Sequence, residues 1–450
     1  MKQIIVILSL IFVGCNPHLQ QPQIDLPENY LYATDTDSIN LSHNWWEMFG
    51  DTTLNRLITT ALAANNDLKA AVSRIEEARA KQRVVRAQYL PEFALGRSAG
   101  VSGSDDEVTQ QYIVEPTASW EIPIFGSLRS ATTAAKADVD YALWQYRGVE
   151  LSLAAQVATT YYTLLQYRRD LDIARQSSEL RAQTAKLVDS LFVRGMASGV
   201  NREQAYNLLY TALADIPLYE RAVAQTLLQL DILLGQTPQL QPSVVSNAPF
   251  VADYTPIDIP SGVPSELLYR RPDMMSSHAK MRSAAAAAKS ARIARLPSFS
   301  LTGDGGIVSD EISKIVTSPT WAWNALLSLS QPLFAFGSLK SSEKVAIEQY
   351  NQAVTEYQQT FISALADVEK SLVSISTYRA EIERYNELIE SNRAIAEMSR
   401  ALYLNGLNAY LDVIDAERTL YNSQMEYSNI IAAQYINYIN LCQALGGNFY

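Results

Sequence analysis

Two aspartates near the C-terminus, Asp412 and Asp415, are the side chains best suited to a shared chemical task in this sequence. They lie three residues apart, so on an α-helix they occupy the same face. Carboxylates gathered on one face attract cations when they line a narrow passage. The same spacing also occurs on ordinary solvated helix faces, and the two residues alone leave both interpretations open.

The sequence offers little material for catalysis or for metal binding. It contains 3 histidines in 450 residues, the scattered His18, His43 and His278. A Ser-His-Asp arrangement or a histidine metal site therefore has very few histidines to draw on. The glycine-rich run at 303–306 lies inside a predicted strand rather than before a helix, which makes it a weak match to a phosphate-binding loop. We expect no enzyme activity, no cofactor and no metal site.

Cys15 follows a short apolar segment at the N-terminus. After Lys2, the apolar run Ile4–Val13 is roughly ten residues long, which is too short to span a bilayer and typical of a secretory signal. The following Gly14-Cys15 pair is typical of a bacterial lipoprotein signal. We expect residues 1–14 to be removed and Cys15 to carry covalent lipid, including palmitate. The alternative is an ordinary signal peptide with an incidental cysteine.

Charge and composition argue against other classes of protein. The formal charge of -11 and the pI near 5.0 disfavour a nucleic-acid partner, because phosphate binding needs clustered Lys and Arg. Cys442 is the other cysteine, so an acylated Cys15 leaves no disulfide. No later segment approaches ~20 consecutive apolar residues. A mature chain that crosses a membrane must therefore do so as a closed β-barrel.

Two long proline-free stretches predict the main helices. No proline occurs between Pro123 and Pro217 or after Pro332, and both stretches are rich in residues that favour helix. Gly126–Arg194 and Ser338–Asn405 each predict one helix of about 68 residues, or ~100 Å at 1.5 Å per residue. Helices this long need packing partners along their length, so we expect coiled-coil pairs.

The helical part of the chain repeats itself at a constant offset. Three short motifs recur 211 residues later, and a fourth upstream motif recurs at a slightly shorter offset. The chain therefore divides into two structural repeats after an N-terminal extended segment. The recurring motifs are 126–128 with 337–339, 191–196 with 402–407, 234–235 with 445–446, and 90–93 with 296–299. The predicted segments are the signal at 1–14, the extended segment at 15–52, repeats at 53–236 and 263–450, and a linker at 237–262.

Alternating apolar and polar residues predict one β-hairpin in each repeat. The alternation is clear at 112–124 and 321–329, and it indicates hairpins at 92–124 and 298–334. Strands of ~10 residues cross a bilayer when tilted. Four strands cannot close a barrel, so several chains must pool theirs, unless the hairpins pack on a soluble helical core. The candidates for an aromatic girdle at the membrane surface are Trp120, Trp321 and Trp323.

Four further motifs occur at Trp45–Asp51, Ser119–Gly126, Pro264–Asp273 and Gln331–Phe334 with Gly337. Together these motifs resemble the TolC-type outer-membrane efflux factors, especially the lipoprotein (NodT-like) branch of RND efflux systems. The resemblance covers nearly all of the mature chain. Two departures are visible: His278 stands where a glutamate is common, and Ala335-Phe336 replaces a more usual Asp-Gly-type pair.

The resemblance implies a fold that is mainly α with membrane β. Three copies would form a twelve-stranded outer-membrane β-barrel continuous with a long periplasmic α-helical barrel. The function implied is the outer-membrane channel of a tripartite efflux system. It would be a passive exit duct for drugs or other small molecules, anchored in outer-membrane lipid. An inner-membrane pump, of RND type, would deliver the cargo through a periplasmic adaptor.

The resemblance also assigns roles to residues. Asp412, Asp415 and Tyr403 match the periplasmic gate. Two turns between helices match the adaptor-docking turns, although their glycines also fit helix caps. The docking residues are Arg194, Gly195, Met196, Asn405, Gly406 and Leu407. The alternatives are a trimeric coiled-coil surface lipoprotein without a channel, and an exit duct for type I protein secretion or for metal cations.

Overall fold

The computed structural model describes residues 19, 23–25, 27–32, 44–104, 107–238, 255–257, 264–318 and 320–447. The predicted signal at 1–14, Cys15 and most of the predicted linker at 237–262 lie outside the described residues. The chain divides into two compact units. One unit comprises 72–145 and 273–360 with residues before 25, and the other comprises 25–71, 146–272 and 361–450.

Helices form most of the described chain. They are α1 Thr52–Ala64, α2 Asn66–Ala87, α3 Ser127–Val193, α4 Gly199–Leu233, α5 Leu267–Arg270, α6 Pro272–Ile293, α7 Lys314–Thr317, α8 Ser338–Leu404 and α9 Tyr410–Ala444. Short 3-10 helices cover Trp45–Phe49 and Pro264–Glu266. Helices α3 and α8 contain 67 residues each, and α4 and α9 contain 35 each. Both long helices were predicted, and the equal lengths fit the offset of 211.

The absence of proline marks helices α3 and α8 but not helix α4. Helices α3 and α8 contain no proline, as predicted, and each follows a glycine with positive φ, Gly126 at 81° and Gly337 at 82°. Helix α4, however, contains Pro217. A proline inside a helix removes one backbone donor and crowds the preceding turn. Packing along α4 therefore retains a helix that proline content alone argues against.

Asp51, the last residue of the Trp45–Asp51 motif, caps the start of α1. One carboxylate oxygen of Asp51 accepts hydrogen bonds from the backbone N–H groups of Thr53 at 2.7 Å and Leu54 at 3.2 Å. These groups have no partner inside the helix, so the carboxylate caps it. The other oxygen accepts from the Tyr161 hydroxyl at 2.6 Å. Asp51 thus fixes the start of α1 against α3.

The largest core cluster lies in the unit that contains 146–272 and 361–450, and it is rich in aromatic residues. The rings of Tyr162 and Tyr435 stack with centroids 4.6 Å apart and an interplanar angle of 6°. Tyr161 and Tyr438 are fully buried. Buried aromatic side chains contribute large apolar area, so this cluster fixes how α3 and α9 pack here.

The strands form a single antiparallel sheet in the order β1-β2-β3-β4. They are β1 Glu92–Ser104, β2 Glu107–Ile122, β3 Ser298–Ser309 and β4 Thr320–Ser330. Both predicted hairpins are present. The register pairs Trp120 with Leu301 and Leu301 with Leu327. Within the described residues, β1 and β4 are the edges of this sheet. No described helix is long and apolar enough to cross a membrane.

Candidate functional site

The two predicted docking turns have matching geometry. Helix α3 ends at Val193 before Gly195, and α8 ends at Leu404 before Gly406. Both glycines have a φ of 72°, which favours glycine. In each turn the glycine N–H and the next N–H donate to carbonyls of the preceding helix at 2.8–2.9 Å. The predicted capping role is therefore present at both positions.

Apolar side chains at these turns face solvent. Met196 and Leu407 follow the two glycines, and each side chain is 72% exposed. Val200 and Leu411, at the starts of α4 and α9, are exposed as well. Val200 and Leu411 line a groove of about 580 Å³, and Asp415 lines the same groove. Exposed apolar side chains grouped around a groove indicate a contact surface.

The two candidate gate aspartates share an exposed face of α9, as their spacing predicted. Val413 and Ala416 on the other side of the helix are buried. The carboxylate of Asp412 accepts a hydrogen bond from the Ala409 backbone N–H at 3.2 Å, which helps to cap α9. Asp415 forms an exposed ion pair with Arg418 at 2.9 Å. Both carboxylates lie within the first two turns of α9.

Tyr403 is half-buried and belongs to the packing behind the second turn. Its ring lies 5.0 Å from the ring of Tyr410, with an interplanar angle of 50°. The two rings pack with Val188 and Ala185 of α3. Tyr403 therefore links the end of α8 to α3 within one chain. Asp412 and Asp415 lie two and five residues after Tyr410.

A buried polar cluster near these turns was not anticipated from the sequence. Arg181 of α3 is buried, donates to the Leu208 carbonyl at 3.1 Å, and lies 4.9 Å from the Tyr421 ring centroid. The Tyr421 hydroxyl donates to Asp215 at 2.7 Å. These contacts join α3, α4 and α9. Their members are distant in sequence, so no local pattern indicates them.

Glu417 belongs to the same cluster. It is buried, and neither carboxylate oxygen has a hydrogen-bond partner. Burial raises the pKa of this carboxyl group, and the charges of Arg400 and Arg181 oppose that rise. Arg400 donates to the Thr184 hydroxyl, which joins α8 to α3. The carboxylate lines a cavity of about 330 Å³.

The sheet has one apolar face, and the three girdle candidates lie on it. Directly paired residues share a face, and successive residues of one strand lie on opposite faces. The register therefore places Trp120, Trp321 and Trp323 on one face. Arg97 is a charged exception on this face. Trp321 and Trp323 are exposed, whereas Trp120 is half-buried. The opposite face carries polar residues, which include Glu115, Thr117, Ser119, Glu121, Ser300, Thr302, Asp304, Asn324 and Ser328.

The described residues contain no group of three or more His, Cys, Asp or Glu side chains that could hold a metal ion. His278 is half-buried with its ring 5.9 Å from the Tyr357 ring. Burial and the charge of Arg282 lower its pKa.

The sheet has one apolar face with exposed side chains, and the two turns carry exposed apolar side chains. Both features indicate surfaces that contact a membrane or another protein. The chain belongs to the outer membrane efflux protein family, whose model matches residues 57–236 and 263–447. It is therefore an outer-membrane protein of efflux, and its family consists of channel proteins.

Comparison with individual proteins gives the same result over almost the full length. The probable outer membrane lipoprotein SilC of Salmonella typhimurium is 28% identical, with 98% of each chain covered. The solvent efflux pump outer membrane protein SrpC of Pseudomonas putida is 28% identical, with 98% of this chain and 97% of SrpC covered. A solved structure of CusC superimposes with a TM-score of 0.83 at 26% identity, and covers 96% of this chain and 99% of CusC.

Proposed function

We propose that this chain is one third of a homotrimeric exit duct. The observation that carries the proposal is the sheet, whose apolar face is exposed in a single chain and whose edge strands have no described partner. Open strand edges are unfavourable in water and in lipid, and exposed apolar surface is unfavourable in water. Three four-stranded sheets joined edge to edge would close a twelve-stranded barrel with its apolar face towards lipid. The two repeats of each chain would then alternate around the barrel.

The proposed membrane position gives the tryptophans a role. Trp120 lies near one end of the sheet, and Trp321 and Trp323 lie towards the other end, all on the apolar face. Trp321 pairs with Ile307 and Trp120 with Leu301, six residues along β3, which is ~20 Å at 3.3 Å per residue. A transmembrane barrel has an apolar band ≈ 25 Å tall between aromatic girdles. The spacing supports assignment of these residues to two girdles.

The proposed constriction lies at the start of α9. Threefold symmetry would place up to six carboxylates, Asp412 and Asp415 of each copy, around one passage. Both carboxylates are exposed in the single chain, so they are available to line it. Such a ring favours cations. The Tyr403 packing and the Arg400–Thr184 contact tie α8 to α3 in the same region.

The proposed partners are a periplasmic adaptor and an inner-membrane pump of RND type. The surface offered to the adaptor comprises the exposed Met196 and Leu407 of the two turns and the groove that Val200 and Leu411 line. Cys15 would carry lipid that holds the N-terminus at the membrane. Mass spectrometry of purified protein should show an acylated Cys15, and Cys15→Ala should lose that mass.

The cargo we propose is small and organic, with the pump supplying the energy. SrpC is named for solvent efflux, which supports this choice. CusC of Escherichia coli K12 is named as a cation efflux system protein and is 26% identical. A carboxylate ring suits that second cargo, so metal-cation efflux is the competing assignment. Export assays with an organic cation and with a metal cation distinguish them.

Single-channel conductance of purified trimers in planar bilayers tests the proposed duct and constriction. We expect a small cation-preferring conductance that changes in size and selectivity in Asp412→Asn plus Asp415→Asn. The control is Glu383→Gln plus Glu390→Gln, which removes two exposed charges from α8. A conductance that is the same in the wild type and in the double aspartate variant would reject the proposed constriction. Folded trimers that stay silent, even with both aspartates replaced, would favour a trimeric coiled-coil surface lipoprotein without a channel.

A further inference from the structure

Two exposed phenylalanines lie in the segment between β4 and α8. The rings of Phe334 and Phe336 pack edge to face with centroids 4.6 Å apart. Their side chains are 77% and 90% exposed. Phe336 also has a φ of 45°, a conformation that residues with side chains rarely adopt. Strained backbone persists where the surrounding structure determines it, yet a single chain buries neither ring.

The first repeat shows what such a ring contacts. Phe125 lies in the corresponding segment, between β2 and α3. Its ring packs on Phe299 with centroids 6.4 Å apart. Phe299 lies near the start of β3. There β3 pairs with the end of β2, and Phe299 is the register partner of Ile122. The phenylalanine after one hairpin therefore packs on the first phenylalanine of the next hairpin.

The repeat identifies the corresponding pair for the second junction. Pro123-Ile124-Phe125 corresponds to Pro332-Leu333-Phe334, and Pro91-Glu92-Phe93 corresponds to Pro297-Ser298-Phe299. The counterpart of the Phe125–Phe299 contact is therefore a contact between Phe334 and Phe93. In one chain, β1 and β4 are opposite edges of the sheet. Phe93 is 75% exposed there.

We propose that Phe334 and Phe336 of one copy enclose Phe93 of a neighbouring copy. The occupant is a second copy of this chain because the matching contact already exists inside the chain, where β2 meets β3. The inference rests on the proposed trimer and specifies its junction. Ala335-Phe336 adds two residues relative to the first junction, and so adds a second ring to the contact.

Strand register supports the same pairing. Ile122, directly before Pro123, faces Phe299, so Gln331, directly before Pro332, should face Phe93 of the neighbouring copy. Phe93 lies on the apolar face of β1, and odd-numbered residues of β4 lie on the apolar face of that strand. Continuing that alternation places Gln331 on the same face as Phe93. A shift of one residue would place the two on opposite faces.

Thiol crosslinking of the full-length protein in membranes tests this contact. Phe93→Cys combined with Phe334→Cys, treated with a short bis-maleimide, should give covalent dimers and trimers on denaturing gels. No larger species is expected, because a trimer closes on itself. The matched control is Phe125→Cys combined with Phe299→Cys, which should crosslink within one chain and keep monomer mobility. Each single-cysteine variant should give no ladder.

Native mass spectrometry of the same samples separates the two levels of the proposal. Trimers without a Phe93–Phe334 crosslink would overturn the junction and leave the exit duct standing. Absence of trimers from the folded parent protein would reject the duct itself. Covalent dimers and trimers in native trimers support both.

Phe336→Gly provides a second test that does not depend on introduced cysteines. Glycine adopts positive φ freely, so this change should leave the folded chain intact and remove one ring from the contact. We expect the trimer to dissociate at a lower temperature in detergent, while the helical circular dichroism of the chain is retained. A trimer that dissociates at an equal or higher temperature would mean that Phe336 has no partner in the assembly.

Discussion

The guanidinium group of Arg271 donates a hydrogen bond from Nη1 to the backbone carbonyl of Ala444 at 2.9 Å. Ala444 is the last residue of α9, where carbonyls lack partners inside the helix. In the first repeat, the Asn65 side chain donates to the carbonyl of Leu233, the last residue of α4, at 3.0 Å. One side chain in each repeat therefore closes the end of a 35-residue helix.

Replacement of Arg271 should destabilise the folded chain. The residue is buried and also contacts Asp367 at 3.3 Å. Hydrogen bonds from charged groups contribute about 1.5–3 kcal/mol, so Arg271→Ala should lower the free energy of unfolding by about that amount. The measurement is the midpoint of chemical or thermal loss of helical circular dichroism. Arg384→Ala, which removes an exposed ion pair with Glu387, should have little effect. Equal effects of both variants would contradict the closing role.

Two glycines with similar φ should respond differently to alanine. Gly195 has a φ of 72° with no atom within 4 Å of an added Cβ, whereas Gly235 has a φ of 67° and an added Cβ would lie 2.6 Å from the Ala64 carbonyl oxygen. Gly195→Ala should cost only the conformational penalty, about 1–2 kcal/mol. Gly235→Ala adds overpacking of about 1–3 kcal/mol. Parallel unfolding curves measure the difference, and identical losses would show that backbone conformation alone requires both glycines.

The buried Asp170 should make stability depend on pH. Burial raises its pKa to about 6 from 3.8, although Ser428 and Arg169 oppose the rise. The folded state therefore holds this proton more tightly than the unfolded chain. Its contribution to stability is greatest below about pH 4 and falls as pH rises through about 6, by a total on the order of 3 kcal/mol.

Asp170→Asn removes that titration. The variant should gain more thermal stability over the wild type at pH 7.5 than at pH 5. Asp172→Asn is the control, because Asp172 is exposed on the same helix. A gain that is equal at both pH values would show that Asp170 remains ionised in the folded protein.

Gly306 should be required for the pairing of β2 with β3. A Cβ at this position would lie 2.2 Å from the Val114 carbonyl oxygen, which forces the strands apart. Gly306→Ala should therefore lower the temperature at which assembled protein loses its resistance to detergent. Gly100→Ala is matched, since no atom lies within 4 Å of an added Cβ there. A sheet that tolerates both changes equally would show that the close approach has no structural role.

Much of the fold follows from local patterns in the sequence. The absence of proline located α3 and α8, and clear alternation located β2 and β4, because both properties act over neighbouring residues. The turn glycines followed from the repeat. Pro217 inside α4 is the exception. A proline disfavours a helix locally, but packing with other helices, which a local pattern does not show, overrides that preference.

The candidate site was predictable only in part. The shared face of Asp412 and Asp415 follows from their spacing. The contacts of Arg181, Glu417 and Tyr421 do not, because their partners lie on other helices and form no short motif. Ala335-Phe336 was visible as a departure from the family pattern, but its exposed ring pair required coordinates.

The open edges of the sheet have a kinetic consequence for the cell. In the proposed trimer, a newly delivered chain completes its sheet only when β1 and β4 pair with other copies, so completion is an encounter between molecules rather than an internal rearrangement. We expect the rate of maturation to rise steeply with the number of chains arriving at the membrane together. At low synthesis the unfinished monomer would survive longer, and it is that species which periplasmic proteases and chaperones would meet.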